Sequence, residues 1–369
     1  MAMAHDSASQ HGSPNPERSA RIDNSDRATF TSEELATVLS HYDLGVIDSM
    51  QAFPRGSRRA PKLVLKTDRG TYLLKRRAKG RDNPFKVAFA HAMQLYLTTK
   101  EFPLPNLIGT RRDNNSMLQL RGNIYEVFEY AAGTGYDNGL DSTHDAGKTL
   151  GRLHQLLRDY EAEYDPPQGS YHAARGVQES MRNIPATLRD DPAVNEQPDR
   201  VREIIQFLHG NYNEAALRVN EMGLTEWPMQ IIHSDWHPGN MLFRGPRVVA
   251  VIDYDAARIQ QRVIDVANGA LQFSIIGGGD DAAHWPEYLD ESRFKRFMRG
   301  YESVSALSEA ERHTIPPLMV EALIAESVIP IAATGSFARM EGFGFLLMIQ
   351  RKVTWLKKHA DRLCAMLDA

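Results

Sequence analysis

The chain has 369 residues, of which 42% are apolar and 24% are charged, a length and composition that suit two domains with a sizeable core. Its 43 basic and 47 acidic side chains give a formal charge of −4, and this balance argues against a nucleic-acid partner. Cys364 is the single cysteine, which excludes disulfides within the chain and a cysteine-rich zinc site and is consistent with a cytoplasmic location.

The first 29 residues are polar, are interrupted by Pro14 and Pro16, and contain no apolar stretch typical of a signal peptide. Their composition predicts a disordered tail over residues 1–29. The most apolar later stretch, Leu318–Thr334, contains two glutamates. It therefore predicts a buried helix rather than a membrane span, and we expect no membrane partner.

Residues 30–130 have the pattern of a small, strand-rich lobe. Its strands alternate apolar and polar residues, and its helices begin at recognisable caps. The predicted elements are a helix with the capping box Thr31–Glu34, a hairpin of Lys62–Thr67 and Thr71–Lys75, a helix beginning at Asn83-Pro84, and strands at Met117–Leu120 and Ile124–Tyr130.

The Gly-rich segment Ala131–Gly139 links this lobe to a larger one over residues 131–369, where apolar residues recur mainly at helical spacing. The predicted helices are one around residues 150–157, one within 197–222, and helices filling 281–302 and 307–366. The pattern predicts an α+β fold with two lobes, in which a small antiparallel sheet precedes a mainly helical region.

The stretch Ile231–Asn240, read as IIHSDWHPGN, lies between two apolar strands of the larger lobe. Pro238-Gly239 forces a tight turn within it. This turn allows Asp235 and Asn240 to face one pocket.

A second apolar run, Val248–Ile252, pairs back on the strand after this turn and ends in Asp253. A carboxylate such as that of Asp235 acts as a general base when it reaches a hydroxyl. The oxygens of Asn240 and Asp253 are hard ligands of the kind Mg²⁺ takes. A base Asp with a metal-binding Asn and Asp is the set used in phosphoryl transfer.

The segment HSDWHPGN followed by VIDYD resembles the aminoglycoside phosphotransferase/choline kinase family, and it is also similar to spore-coat-associated relatives and type II homoserine kinases. The resemblance covers roughly residues 31–270. It implies a protein-kinase-like two-lobe fold that uses ATP and Mg²⁺. It also implies that Asp235 is the catalytic residue and that Asn240 and Asp253 are the metal ligands.

The resemblance extends to the small lobe. Lys75 matches the strand lysine that contacts the ATP phosphates, and the segment Arg55–Arg58 lies where a phosphate-covering loop is expected, with Gly56 and Ser57 as its candidate contacts. Glu129 and Ala131 lie at the expected hinge, where backbone groups meet the adenine.

We compared three further features of the sequence with the pattern of the family. The small-lobe helix of the family carries a Glu that pairs with the strand lysine, but here it has no acidic residue between Pro84 and Thr99, and His91 and Gln94 are the nearest polar candidates. Ser234 replaces the usual Gly. Asp265 matches a downstream Asp that we interpret as structural.

The leading hypothesis is an ATP-dependent kinase that transfers the γ-phosphoryl group of Mg-ATP to a hydroxyl of a small molecule. The acceptor is left open among an amino alcohol, an amino sugar, an aminoglycoside and a homoserine-like compound, and so is the oligomeric state. One alternative is a catalytically weak or inactive binding protein on the same fold. Another is a zinc hydrolase that uses His233, Asp235 and His237.

Overall fold

A computed structural model of the protein describes residues 27–53, 56–277, 281–338 and 340–368. Most of the predicted tail, and Arg55 of the predicted phosphate loop, lie outside these residues. Ala28, the second of the described residues, donates a backbone hydrogen bond to the carbonyl of Arg58.

The small lobe contains a five-stranded antiparallel sheet with two helices, as the alternating strand pattern predicts. The strand order is β1-β2-β3-β5-β4. The elements are α1 (Ser32–Leu39), β1 (Ile47–Ala52), β2 (Lys62–Thr67), β3 (Gly70–Arg76), α2 (Pro84–Thr99), β4 (Leu118–Leu120) and β5 (Asn123–Glu129).

Local sequence signals account for where these helices begin. Thr31 and Glu34 form the predicted capping box of α1, and the Asn83 side chain accepts hydrogen bonds at the start of α2. One face of the sheet then packs against α1. The buried residues between them are Val38, Tyr42, Leu44, Leu65, Leu74, Leu118, Tyr125 and Val127.

The larger lobe is mainly helical and is built around one continuous apolar core. Its helices are α3 (Leu140–Leu157), α4 (Arg175–Thr187), α5 (Pro192–Glu196), α6 (Pro198–Glu221), α7 (Arg262–Ser274), α8 (Glu291–Glu302), α9 (Glu309–Thr334) and α10 (Gly342–Leu367). Together with the antiparallel sheet of the small lobe, these helices confirm the predicted fold class.

Short strands in the larger lobe flank the candidate site residues Asp235, Asn240 and Asp253. They are β6 (Met229–Ile232), β7 (Met241–Arg244), β8 (Arg247–Val251) and β9 (Arg258–Gln261), with a further pair, β10 (Ser336–Phe337) and β11 (Met340–Glu341), near the end of the chain. The strand β7 pairs with β8, as predicted, whereas β6 pairs with β9. The segment Ile231–Asn240 therefore runs between two small antiparallel pairs.

The predicted helices over 281–302 and 307–366 are too long. The first begins only at Glu291, because the Asp290 side chain caps it by accepting a hydrogen bond from the Arg293 N–H. The second is interrupted after Thr334, where Gly335 adopts a φ of 73° and ends α9 before the β10–β11 pair.

The helix α9 is long and apolar enough to cross a membrane, yet 78% of its apolar window is buried inside the protein. Glu321 lies within that window and is itself buried against His172, at 2.8 Å. These contacts confirm the prediction of a buried helix over Leu318–Thr334.

Candidate active site

The backbone of the segment Ile231–Asn240 is anchored by Asp265, near the start of α7. The N–H groups of His233 and Ser234 each donate a 2.8 Å hydrogen bond to one oxygen of the Asp265 carboxylate. His154 Nε2 lies 3.3 Å from the same carboxylate, and Asp265 has no exposed surface. Asp265 therefore has the structural role predicted for it, holding the chain just before Asp235.

Two neighbouring residues complete this anchor. Ser234 adopts a φ of 65°, the left-handed conformation in which the usual Gly is free of strain. The buried His233 ring packs against Trp236 and Tyr254, and its Nε2 lies 3.3 Å from the Ile252 carbonyl. Burial lowers the pKa of His233, so it is a neutral side chain that joins the loop to the end of β8.

Asp235 is held in place from within its own loop. Asn240 Nδ2 donates to the Asp235 carbonyl at 3.0 Å and to its Oδ2 at 2.9 Å. His237 Nε2 lies 3.6 Å from the same Oδ2, while His237 Nδ1 accepts a hydrogen bond from the Gly239 N–H. Burial raises the pKa of Asp235, but His237 and Asn240 outweigh that effect and hold the pKa below its usual range.

The donor set around Asn240 and Asp253 fits a Mg²⁺ ion. Because Asn240 Nδ2 is used to hold Asp235, its Oδ1 is the atom left for a cation. Asp253 is exposed, adopts a φ of 65°, and has no hydrogen bond or ion pair with any other residue that the structure describes. Two hard oxygen ligands suit an ion that also binds phosphates.

The zinc alternative lacks this support. The Nε2 atom of His233 lies 3.3 Å from the Ile252 carbonyl, and His237 Nδ1 accepts a hydrogen bond from the Gly239 N–H. Over the described ranges, no group of three or more His, Cys, Asp or Glu side chains is arranged to hold a metal.

Lys75 is paired with acidic residues that the sequence interpretation did not identify. Its Nζ lies 3.6 Å from Glu126 Oε2 and 3.5 Å from Asp255 Oδ2. His91, a candidate replacement for the helix Glu, instead contacts Glu126 Oε1 at 2.6 Å, and Gln94 donates to the Ala90 carbonyl of its own helix. The acidic partners of Lys75 therefore lie on β5 and after β8 rather than on α2.

Arg77 completes a compact ionic cluster. It follows β3 two residues after Lys75, and its Nη2 lies 2.7 Å from both Glu126 Oε1 and Asp255 Oδ1. Glu126 is fully buried, while the Asp255 side chain is 20% exposed. Burial alone would raise the pKa of Glu126, but Lys75, His91 and Arg77 hold the pKa well below its usual range.

A second lysine faces the same region. Lys62 on β2 lies directly opposite Lys75 in the sheet, and it interacts electrostatically with Asp253 as well as with the acids of the ionic cluster. Burial and the neighbouring Lys75 both lower its pKa. Gly56 has a φ of 77°, and a Cβ atom there would lie 2.7 Å from Lys62 Nζ. The backbone at Gly56 therefore lies against the Lys62 ammonium group.

The remaining predicted contacts lie at the two ends of the sheet. The Ser57 hydroxyl accepts a hydrogen bond from the Arg59 N–H, which forms a turn in the β1–β2 loop. Glu129 ends β5, with its N–H bonded to Asn106, and half-buried Ala131 begins the segment that leads to α3.

Four residues near the site were missed: Arg77, Glu126, Asp255 and Lys62. Two of them had a signal in the sequence, because Glu126 interrupts the apolar run IYEVF and Asp255 follows Asp253 in VIDYD. An acidic residue in an apolar strand requires a partner. Which residue is that partner depends on how the strands pair, and the pairing involves residues far apart in the sequence.

The sequence of the chain matches a known family and its curated members. A model of the phosphotransferase enzyme family, APH, matches residues 49–312. The homoserine kinase of Beijerinckia indica is 25% identical over 298 residues, which cover 77% of this chain and 80% of that protein. The homoserine kinase of Zymomonas mobilis is 25% identical over 295 residues, which cover 77% of this chain and 82% of that protein.

Solved structures share the fold. An aminoglycoside phosphotransferase of Alicyclobacillus acidocaldarius aligns with a TM-score of 0.64 at 15% identity, over 94% of this chain and 98% of that one. An amicoumacin kinase aligns with a TM-score of 0.63 at 14% identity, over 90% of this chain and 94% of that one. A microcompartment-associated aminopropanol kinase aligns with a TM-score of 0.61 at 15% identity, over 89% of this chain and 97% of that one. These alignments confirm the predicted protein-kinase-like architecture.

We expect Asp265→Asn to loosen the catalytic loop, because an amide replaces one of two oxygens that accept backbone N–H groups. Loss of such a charge-assisted bond costs roughly 1–3 kcal/mol. Thermal unfolding should therefore occur at a lower temperature, and kcat should fall. As a comparison, Ser234→Gly removes left-handed strain and should retain kcat. Unchanged stability and kcat in Asp265→Asn would contradict the anchoring role.

Proposed function

The chain belongs to the phosphotransferase enzyme family and is an ATP-dependent small-molecule kinase, and on this premise we propose how its residues divide the transfer of the γ-phosphoryl group. The observation that carries the proposal is the double hydrogen bond from Asn240 to Asp235. It joins the residue proposed to meet the acceptor to a residue proposed to meet the metal.

Asp235 is proposed to orient the acceptor hydroxyl and to take its proton. Its lowered pKa keeps the carboxylate ionised at neutral pH, as a proton acceptor requires. Its bonds to Asn240 and His237 limit its rotation. Holding a base in one orientation is itself a large part of the rate advantage in this chemistry.

Asn240 and Asp253 are proposed to hold Mg²⁺ through Asn240 Oδ1 and the Asp253 carboxylate. When bound, the ion supplies neutralisation of the charge on the triphosphate oxygens. The related amicoumacin kinase structure contains AMP-PNP and Ca²⁺, which supports a divalent cation at a nucleotide site of this fold.

Lys75 and Lys62 are proposed to contact the phosphates, with Gly56 and Ser57 covering them. Like charges on directly opposite strand residues repel each other. A polyanion placed near both lysines relieves that repulsion, as does the nearby Asp253. At the other end of the sheet, the backbone of Glu129 and Ala131 is proposed to meet the adenine.

The acceptor is proposed to be a small compound with a hydroxyl group, and we place the reaction in the cytoplasm, where ATP is available. Similarity to homoserine kinases over 77% of the chain favours acceptors of that size over large antibiotics. An inactive binding protein is less favoured, because Asp235, Asn240 and Asp253 are present together with an ion-paired Lys75.

We expect Asp235→Asn to lower kcat by about 10³-fold, because it removes the proposed proton acceptor. The affinity for Mg-ATP, measured by calorimetry, should change little, since Asp235 is not among the proposed nucleotide contacts. Asp159→Asn, at an exposed position after α3, is a matched control that should behave as the unmodified protein. Turnover within tenfold of the unmodified protein in Asp235→Asn would refute the mechanism.

We expect Lys62→Gln to raise the dissociation constant for ATP by about tenfold, the effect of one charged phosphate contact. AMP, which lacks the outer phosphates, should lose much less affinity. The control is Lys66→Gln, an exposed lysine at the far end of the same strand. Equal losses for ATP and AMP would instead indicate a structural role for Lys62.

A further inference from the structure

A cavity of about 350 Å³ lies beside the catalytic loop. This volume is at the low end of the range for small-molecule sites, so it suits a compact acceptor. Gly239, which immediately precedes Asn240, forms part of its wall. Asn138, Gln272 and Arg293 also line it.

Arg293 places a guanidinium group on the wall of this cavity. It is only 7% exposed, and its orientation is set by two bonds, from Nε to Asp290 Oδ2 at 2.9 Å and from Nη1 to Asn138 Oδ1 at 3.0 Å. A guanidinium is planar, always charged, and matches a carboxylate through parallel N–H donors. Nε is engaged in an ion pair with Asp290 and Nη1 in the bond to Asn138, so Nη2 is the nitrogen that can donate to a ligand carboxylate.

Glu326 on α9 is a carboxyl group that can carry the opposite charge once a cation binds beside it. The cavity residue Gln272 donates a hydrogen bond to Glu326 Oε2, which places the carboxyl group next to the cavity. Among the described residues, no Lys or Arg side chain forms an ion pair with Glu326, and the charged groups that act on it are Asp235 and His237. Burial, with a smaller contribution from Asp235, raises its pKa to about 8. A cationic ligand group would stabilise this carboxylate.

We propose that the acceptor is a small α-amino acid with a hydroxyl group on its side chain, bound through its carboxylate by Arg293 and through its ammonium group by Glu326. This rests on the proposed function. The acceptor hydroxyl then meets Asp235, which takes the proton as the oxygen bonds to the γ-phosphorus and ADP leaves. An amino alcohol would use Glu326 only, so Arg293 separates the two acceptor classes.

Three acceptors of matched length test the assignment: homoserine, 3-amino-1-propanol, which lacks the carboxylate, and 4-hydroxybutyrate, which lacks the ammonium group. We measure kcat/KM for each with Glu326→Gln and Arg293→Gln. Glu326→Gln should lose about 10- to 100-fold on homoserine and on the amino alcohol but little on 4-hydroxybutyrate. Arg293→Gln should lose a similar factor on homoserine and on 4-hydroxybutyrate but little on the amino alcohol.

The controls are Glu309→Gln and Arg299→Gln, exposed residues on the same two helices, which should leave all three values unchanged. Because Arg293 is buried and could be needed for folding, Arg293→Lys is measured as well. It retains the charge and should show a smaller loss with the same dependence on the carboxylate.

Four results would overturn the inference. The variants could lose equally on all three acceptors or lose nothing, and the unmodified enzyme could phosphorylate none of the acceptors or prefer the amino alcohol to homoserine. None of these contradicts the kinase assignment, which depends on the Asp235→Asn result with whichever hydroxyl acceptor is active.

Discussion

The buried ionic cluster of Lys75, Arg77, Glu126 and Asp255 is the interaction on which the arrangement of the site depends. Its cations come from one end of β3, one carboxylate comes from β5, and the other follows β8 in the larger lobe. Removing one member of such a cluster leaves an uncompensated buried charge, at a cost of about 3–5 kcal/mol. The cluster therefore holds the sheet that is proposed to carry the nucleotide against the segment that carries Asp253.

A second anchor, independent of the first, holds the catalytic loop. Asp265 binds the backbone ahead of Asp235, and Asn240 binds Asp235 from the other side. These bonds impose the left-handed conformation of Ser234, which costs of order 1–3 kcal/mol. Strain of this kind persists where the surrounding contacts impose it, and here it fixes the direction in which the chain enters Asp235.

Much of this could be predicted from the sequence, because much of it is local. The cap of α1, the β2–β3 hairpin and the turn that brings Asp235 to Asn240 each depend on residues that are close in the chain. The partner of Lys75 was not predictable, since Glu126 becomes its direct neighbour only through the pairing of β3 with β5. The cavity was not predictable either, because four separate segments of the larger lobe form it.

The most direct test of the central claim is a crystal structure of the protein with AMP-PNP and Mg²⁺. The account predicts a metal ion bound by Asn240 Oδ1 and the Asp253 carboxylate, Lys75 and Lys62 at the phosphates, and the γ-phosphate facing Asp235. The ionic cluster should be unchanged from its present form. A metal bound by other residues, or a nucleotide outside the cleft between Lys75 and Asp253, would contradict the account.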